Sequence, residues 1–342
     1  MNLADLNRVA EALVSPGKGI LAADESSGTI KKRFDAIGVE STEDNRRDYR
    51  EMMFRAEDAL SKYISGVILY DETIWQKSRD GTPLIKLIEQ AGAIPGIKVD
   101  EGTQPLPECP GELVTVGLDK LSERLKKYYA QGARFAKWRA VIDIGKSIPS
   151  YTAIHTNAHA LARYAALCQA AQIAPIVEPE VLMDGDHDID RCYEVTEFVL
   201  KQTFQELYAQ KVALEGMILK PNMVVSGKKN AKQASVQEVA EKTIRLLRNC
   251  VPSAVPGIAF LSGGQSDEEA TAHLDAINRI GHQPWKLTFS YGRALQNAPQ
   301  KAWSGKPANV QAAQQAFTHR AHMNSLASKG EWKADLESRR AV

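Results

Sequence analysis

The sequence predicts an α/β protein built as a (β/α)8 barrel, and three observations carry that prediction. Short runs rich in Ile, Val, Leu and Phe, about eight in number, alternate with amphipathic helical stretches along the 342 residues. Most of those runs end in charged or polar side chains. No Pro/Gly/Ser-rich linker interrupts the alternation. An open, doubly wound sheet would also alternate, so the count alone does not separate the two architectures. The polar run ends favour the barrel, because there they converge on one mouth.

The elements follow in order. Asp5, Arg8 and Glu11 interrupt the N-terminus, while Leu3, Leu6, Val9 and Leu13 keep helical spacing, so a helix over about 2–14 is expected rather than a signal peptide. The strands are expected at Gly19–Ser26, Gly66–Thr73, Pro95–Gly102, Ala133–Val141, Ala174–Val181, Met217–Asn222, Ile258–Gly264 and Lys286–Arg293. Helices are expected at Ser41–Ile64, Leu118–Gln131, Thr156–Ala171, Asp190–Val212, Ser235–Val251 and Ser266–Ile280. Ser41 with Asp44, Ser235 with Glu238 and Ser266 with Glu269 have capping-box spacing. Gln104 to Gly111 reads as a loop. After the last strand a helical extension occupies about 306–342, with a helix from Val310 to Ser328 and a polar, mobile tail from Lys329 to Val342. The whole is expected to be a single barrel domain.

Composition narrows the function. The chain is 44% hydrophobic and 25% charged, with mean hydropathy −0.32, an ordinary globular composition. A net charge of +1 leaves no electrostatic footprint for nucleic acid, and no apolar run approaches the length of a bilayer span. Cys109, Cys168, Cys192 and Cys250 are far apart and form no CxxC, so neither a disulfide frame nor a thiolate metal site is expected. A reducing cytoplasm is the corresponding location.

Chemistry concentrates at the ends of the strands. Lys220 closes the apolar run from Met217, and Pro221 holds it in extended backbone. Taken alone it is a snorkelling lysine. Lys137 lies inside another strand, however, and two cations at one poorly solvated mouth each raise the cost of charging the other, leaving one amine neutral and nucleophilic. Glu178 and Glu180, two residues apart, fall on one side of a strand and supply a proton donor, an acceptor and counter-charge. Ser262, Gly263 and Gly264 end the seventh run; Ser290, Gly292 and Arg293 end the eighth. Glycines there let backbone N–H groups reach an anion, and Arg293 can grip two phosphate oxygens at the usual phosphate position of this fold. Asp24, Ser26, Arg33, Lys98 and Arg139 form a third group, fit for a second anion and a base.

Six stretches together carry a family resemblance: GILAADES (19–26), FAKWR (135–139), VEPE (177–180), LKPNM (219–223), FLSGGQ (260–265) and TFSYGRAL (288–295). From about residue 10 to about 328 the sequence resembles class I fructose-bisphosphate aldolase. The resemblance implies a TIM barrel without metal or other cofactor, and cleavage of fructose 1,6-bisphosphate into dihydroxyacetone phosphate and glyceraldehyde 3-phosphate. It implies Lys220 as the Schiff-base lysine, Lys137 as its cationic neighbour and Glu178 as the proton shuttle supported by Glu180. Asp24 falls to the hydroxyl whose deprotonation breaks the carbon–carbon bond. Ser262, Gly263, Gly264, Ser290, Gly292 and Arg293 match the ketose phosphate site; Arg33, Lys98, Arg139 and Ser26 match the other phosphate end. The family is usually tetrameric, and its partners are small sugar phosphates.

Two departures stand out. The animal enzymes end in a tyrosine that reaches the active site, whereas this sequence has no tyrosine after Tyr291. Glu178 is therefore expected to carry the enamine proton exchange alone. Glu101 replaces a commoner lysine, with only local charge affected. A metal-dependent aldolase or phosphosugar isomerase on the same barrel, and a non-catalytic protein that keeps the shape, are the competing readings. Asp184–Asp188 (DGDHD) lacks the Gly and Glu of a calcium loop and reads as a turn and helix cap, and His155 with His159 reads as helix surface.

Overall fold

Buried on both faces, the apolar runs pair side by side without a break. In the computed structural model, which describes residues 2–338, they close a parallel eight-stranded barrel. Its strands are β1 (Gly19–Ala23), β2 (Ile64–Leu69), β3 (Ile94–Lys98), β4 (Phe135–Ile142), β5 (Ala174–Val181), β6 (Ile218–Leu219), β7 (Gly257–Phe260) and β8 (Lys286–Tyr291). Each pairs with its sequence neighbours, and β8 returns to β1. This is the predicted TIM barrel; most strands end a few residues short of the expected ones, β5 matches its expected bounds, and β4 runs one residue past Val141.

Alternation along these strands separates floor from site. Ile20, Ile68, Phe135, Ile176, Ile218 and Ala259 point inward as one apolar cluster. Two residues further up, the same inward rows carry Lys137, Glu178 and Lys220. Gly96 lies in that floor because a Cβ there would collide with the Phe135 ring. Helix α1 (Leu3–Leu13) seals the barrel from below: Leu6, Ala10 and Leu13, with Val14, belong to the same cluster.

Helices fill the outer layer. Those expected from periodicity are α7 (Leu121–Gln131), α8 (Tyr151–Ala170), α9 (Ile189–Ala209), α10 (Val236–Cys250), α11 (Asp267–Arg279) and α13 (Val310–Ala327). The single helix expected over 41–64 is two, α3 (Glu43–Phe54) and α4 (Glu57–Tyr63), divided at Ala56. Thr42 rather than Ser41 caps α3, accepting from the Asn45 N–H. Ser266 with Glu269 makes a reciprocal capping box, whereas at Ser235 only the cap's acceptance from Glu238 N–H is present. Asp188 caps α9, as the turn reading of DGDHD requires. Helices α2 (Ser27–Asp35), α5 (Asp71–Trp75), α6 (Leu84–Gln90) and α12 (Arg293–Trp303) were not expected. Nor was the hairpin that brackets the 104–111 loop, Thr103–Pro105 against Leu113–Thr115.

The tail expectation needs correction over its described part. Trp332 N–H donates to Asp275, Arg279 donates to the Trp332 carbonyl, and Trp332 Nε1 donates to Glu337 at 3.0 Å. Arg320, buried on α13, meets Glu337 at 2.5 Å. The ionic anchor fixes residues 332–337 against α11 and α13, where polarity alone suggested mobility. The expectation for Arg339 to Val342 falls outside the described residues.

Candidate active site

The polar strand ends open into one cleft of about 730 Å³ at the mouth of the barrel. Of the fifteen residues singled out from sequence, fourteen line it; Gly264 stands just behind the wall. Glu25, Thr29, Lys32, Asp100, Asn297, Gln300 and Lys301 line it too, although none was singled out from the sequence.

At its base is a buried ionic row. Lys137 Nζ is 2.7 Å from Asp24 and 3.3 Å from Glu178, whose other oxygen is 3.2 Å from Lys220 Nζ. All four side chains are nearly inaccessible. The backbone fixes the row: Arg139 is level with Glu178 across β4 and β5, and Lys220 N–H donates to the Val177 carbonyl at 2.8 Å. Burial works to raise the Asp24 pKa, but Lys137 and then Lys220 outweigh it and hold the carboxyl at about 2. Burial also opposes the charge on Lys137, yet Asp24, Glu178 and Asp100 raise its pKa above the usual lysine range. Lys137 is therefore held as a cation. Glu180 pairs with Arg139.

The seventh and eighth strand ends meet as expected. Arg293 opens α12 and donates to the Gly263 carbonyl, joining the two loops. Burial and the neighbouring Arg33 lower the Arg293 pKa, a sign of crowded cations. Ser290 Oγ is buried in this corner without a hydrogen-bond partner among the described residues. A free hydroxyl, an arginine and a glycine turn present an anion site with one donor still unused. Behind the turn, Gln265 donates to the Ser262 carbonyl at 3.1 Å and meets His273 Nδ1 at 2.5 Å.

Across the cleft, Arg33, Lys98 and Arg139 each already have an anion. Arg33 is 2.5 Å from Glu25, Lys98 is 2.8 Å from Asp100, and Arg139 holds Glu180. Ser26 Oγ lies 3.1 Å from Thr29. Glu25 is the most consequential residue that sequence reasoning missed: it orients Arg33 and accepts from Gln296 at 2.7 Å. Its position next to Asp24 was the available signal. Among the described residues no group of three or more His, Cys, Asp or Glu is arranged to hold a metal ion. No helix among them is long and apolar enough to cross a membrane.

Known proteins match the chain over nearly its whole length. The profile of the glycolytic class-I fructose-bisphosphate aldolase family matches residues 5–342. A probable fructose-bisphosphate aldolase class 1 from Xanthomonas campestris pv. campestris is 58% identical over 334 residues, 97% of this chain and 100% of the relative. Cytosolic fructose-bisphosphate aldolase 4 of Arabidopsis thaliana is 54% identical over 94% of this chain and 82% of its own. The solved fructose-bisphosphate aldolase of Plasmodium falciparum, crystallised with TRAP and a small-molecule inhibitor, superposes with a TM-score of 0.96. It is 49% identical, with 97% of this chain and 96% of that one covered. With the barrel, the lysine–carboxylate row and matches over nearly its full length, the chain belongs to the class-I fructose-bisphosphate aldolase family.

Proposed function

We propose that Lys220 is the nucleophile in the reversible aldol cleavage of fructose 1,6-bisphosphate that this aldolase carries out. The observation that carries this assignment is the buried contact of Lys220 Nζ with Glu178 at 3.2 Å, continued to Lys137 at 3.3 Å. Lys220 attacks the ketone carbon, and Glu178 passes the protons needed for water to leave. The resulting iminium is the electron sink that the reaction lacks in water. Asp24, ionised down to about pH 2, takes the hydroxyl proton; the bond between the third and fourth carbons breaks, and glyceraldehyde 3-phosphate departs. The enamine is reprotonated by Glu178 and hydrolysed to release dihydroxyacetone phosphate.

Lys137 stays charged between Asp24 and Glu178 and holds both carboxylates in place. Glu180 orients Arg139. The ketose phosphate takes the corner of Ser262, Gly263, Gly264, Ser290, Gly292 and Arg293, where the unused Ser290 hydroxyl finds an acceptor. Arg33, Lys98, Arg139 and Ser26 receive the other phosphate, which competes with the carboxylates now paired to those cations.

Borohydride reduction with dihydroxyacetone phosphate, followed by peptide mass mapping, should place the adduct on Lys220. An adduct at another lysine, or none, sinks the assignment. Deleting residues 339–342 should change proton exchange on bound dihydroxyacetone phosphate by less than about twofold, because Glu178 is within reach of Lys220. A severe slowing would show that the tail takes part.

The chain is also read as one barrel domain, working in the cytoplasm as a homo-oligomer, with a tetramer proposed by analogy with the family. Light scattering on the purified protein tests the last point, and a monomer mass would refute it.

A further inference from the structure

The loops after β5 and β6 are tied into one unit beside the ketose-phosphate corner. Gly227 N–H donates to the His187 carbonyl at 2.8 Å, Lys228 N–H to Met183 at 2.7 Å and Lys229 N–H to Gly185 at 2.9 Å. Asn230 adds a side-chain bond to the Asp186 carbonyl at 2.8 Å. This double loop delivers two side chains to the phosphate turn. Met183 Sδ accepts the Gly264 N–H at 3.2 Å. The Lys228 side chain lies directly on Gly264, so that a Cβ on that glycine would collide with both Cε and Nζ.

We propose that Lys228 is a positioning and charge-supplying residue for the ketose phosphate, acting through the Gly263–Gly264 turn. The inference rests on the assignment of that corner to the phosphate made above. A lysine whose ammonium lies against a glycine of an anion-binding turn raises the local positive potential without occupying the cleft. Its present counter-ion, Asp184, is 3.6 Å away and more than half exposed, so a phosphate dianion competes with it easily. Gly264 N–H is in a similar state, because a thioether is a weak acceptor and gives up the donor at little cost. Glycine at 264 leaves room for the ammonium.

The test separates the two ends of the substrate. In the synthesis direction, Lys228→Met should raise KM for dihydroxyacetone phosphate about fivefold, the size expected for a partly exposed charge. KM for glyceraldehyde 3-phosphate should stay put and kcat should fall less than twofold, while Lys228→Arg restores the wild-type KM. Gly264→Ala, which displaces the ammonium, should reproduce the defect in the wild type and add little on Lys228→Met. An unchanged KM for dihydroxyacetone phosphate, or an equal rise for both substrates, overturns the proposal. Inorganic phosphate, titrated calorimetrically, reads this residue independently of imine chemistry: weaker binding to Lys228→Met supports the proposal and equal binding refutes it. Borohydride trapping on the wild type reports on Lys220 alone, so failure of that assignment remains distinguishable.

Discussion

Replacing Lys137 with methionine removes the cation between Asp24 and Glu178 while keeping most of its volume. In the wild type the Asp24 carboxyl is held at about 2 against an ordinary 3.8. That difference corresponds to roughly 2 kcal/mol. The sign follows from the depressed native pKa: the contribution is complete above the unfolded value of 3.8 and is lost as pH falls through about 2. Without Lys137, burial acts on Asp24 with less opposition, and its pKa rises by about two to three units. The wild-type kcat/KM profile should then show no Asp24 limb in the workable acid range, whereas Lys137→Met should acquire one at about pH 4–5. Loss of the paired cation should also lower kcat about a hundredfold and destabilise the fold at neutral pH by about 3 kcal/mol. Stopped assays from pH 4 to 9 and urea unfolding at matched pH measure both. A large fall in kcat with no movement of the acid limb, and a stability gap between the two proteins that does not shrink on acidification, would refute the electrostatic role given to Lys137.

Three further expectations follow from groups away from the lysines. Burial holds His273 at about 4 instead of 6.5, so the native state refuses a proton that the unfolded chain takes up; stability should fall between pH 6.5 and 4 by up to about 3 kcal/mol, and His273→Gln should flatten that part of the curve in urea titrations. Glu337→Ala removes the ion pair of the buried Arg320 and frees the Trp332 indole N–H, which should cost about 1–3 kcal/mol and change tryptophan emission, with turnover retained. Gly96→Ala forces a methyl into the Phe135 ring, so calorimetry should register a loss of about 1–3 kcal/mol.

The barrel was legible because its strands are apolar on both faces and then turn abruptly polar where the inward rows reach the mouth. The long helices were legible because each carries an apolar stripe over ten or more residues. Helix α2 was not, since SGTIKKRFD buries only Ile30 and Phe34. Helix α12 was hidden twice, by starting at Arg293 inside a phosphate motif and by containing Pro299. The division of the 41–64 helix at Ala56 has no Gly or Pro to mark it. The candidate site was readable where a polar side chain breaks or ends an apolar strand, as at Asp24, Lys137, Glu178 and Lys220. It was unreadable where a role depends on one loop leaning on another: nothing near Lys228 in the sequence points to Gly264, and nothing near Lys333 points to the ion pair that secures Glu337.

The plug formed by α1 has a consequence for how the chain is made. Residues 3–14 are synthesised before their partners, which are spread through the rest of the sequence. Ser65 donates to the Leu13 carbonyl at 2.6 Å, Asn7 to the Glu215 carbonyl at 2.9 Å, and Val14 fills the space over Gly257. The α1 segment therefore completes its contacts only after β7 exists, so its docking marks the closing stage of barrel assembly. Until then Leu6 and Leu13 remain uncovered for most of translation, an apolar stretch for which a chaperone and a neighbouring nascent chain would compete.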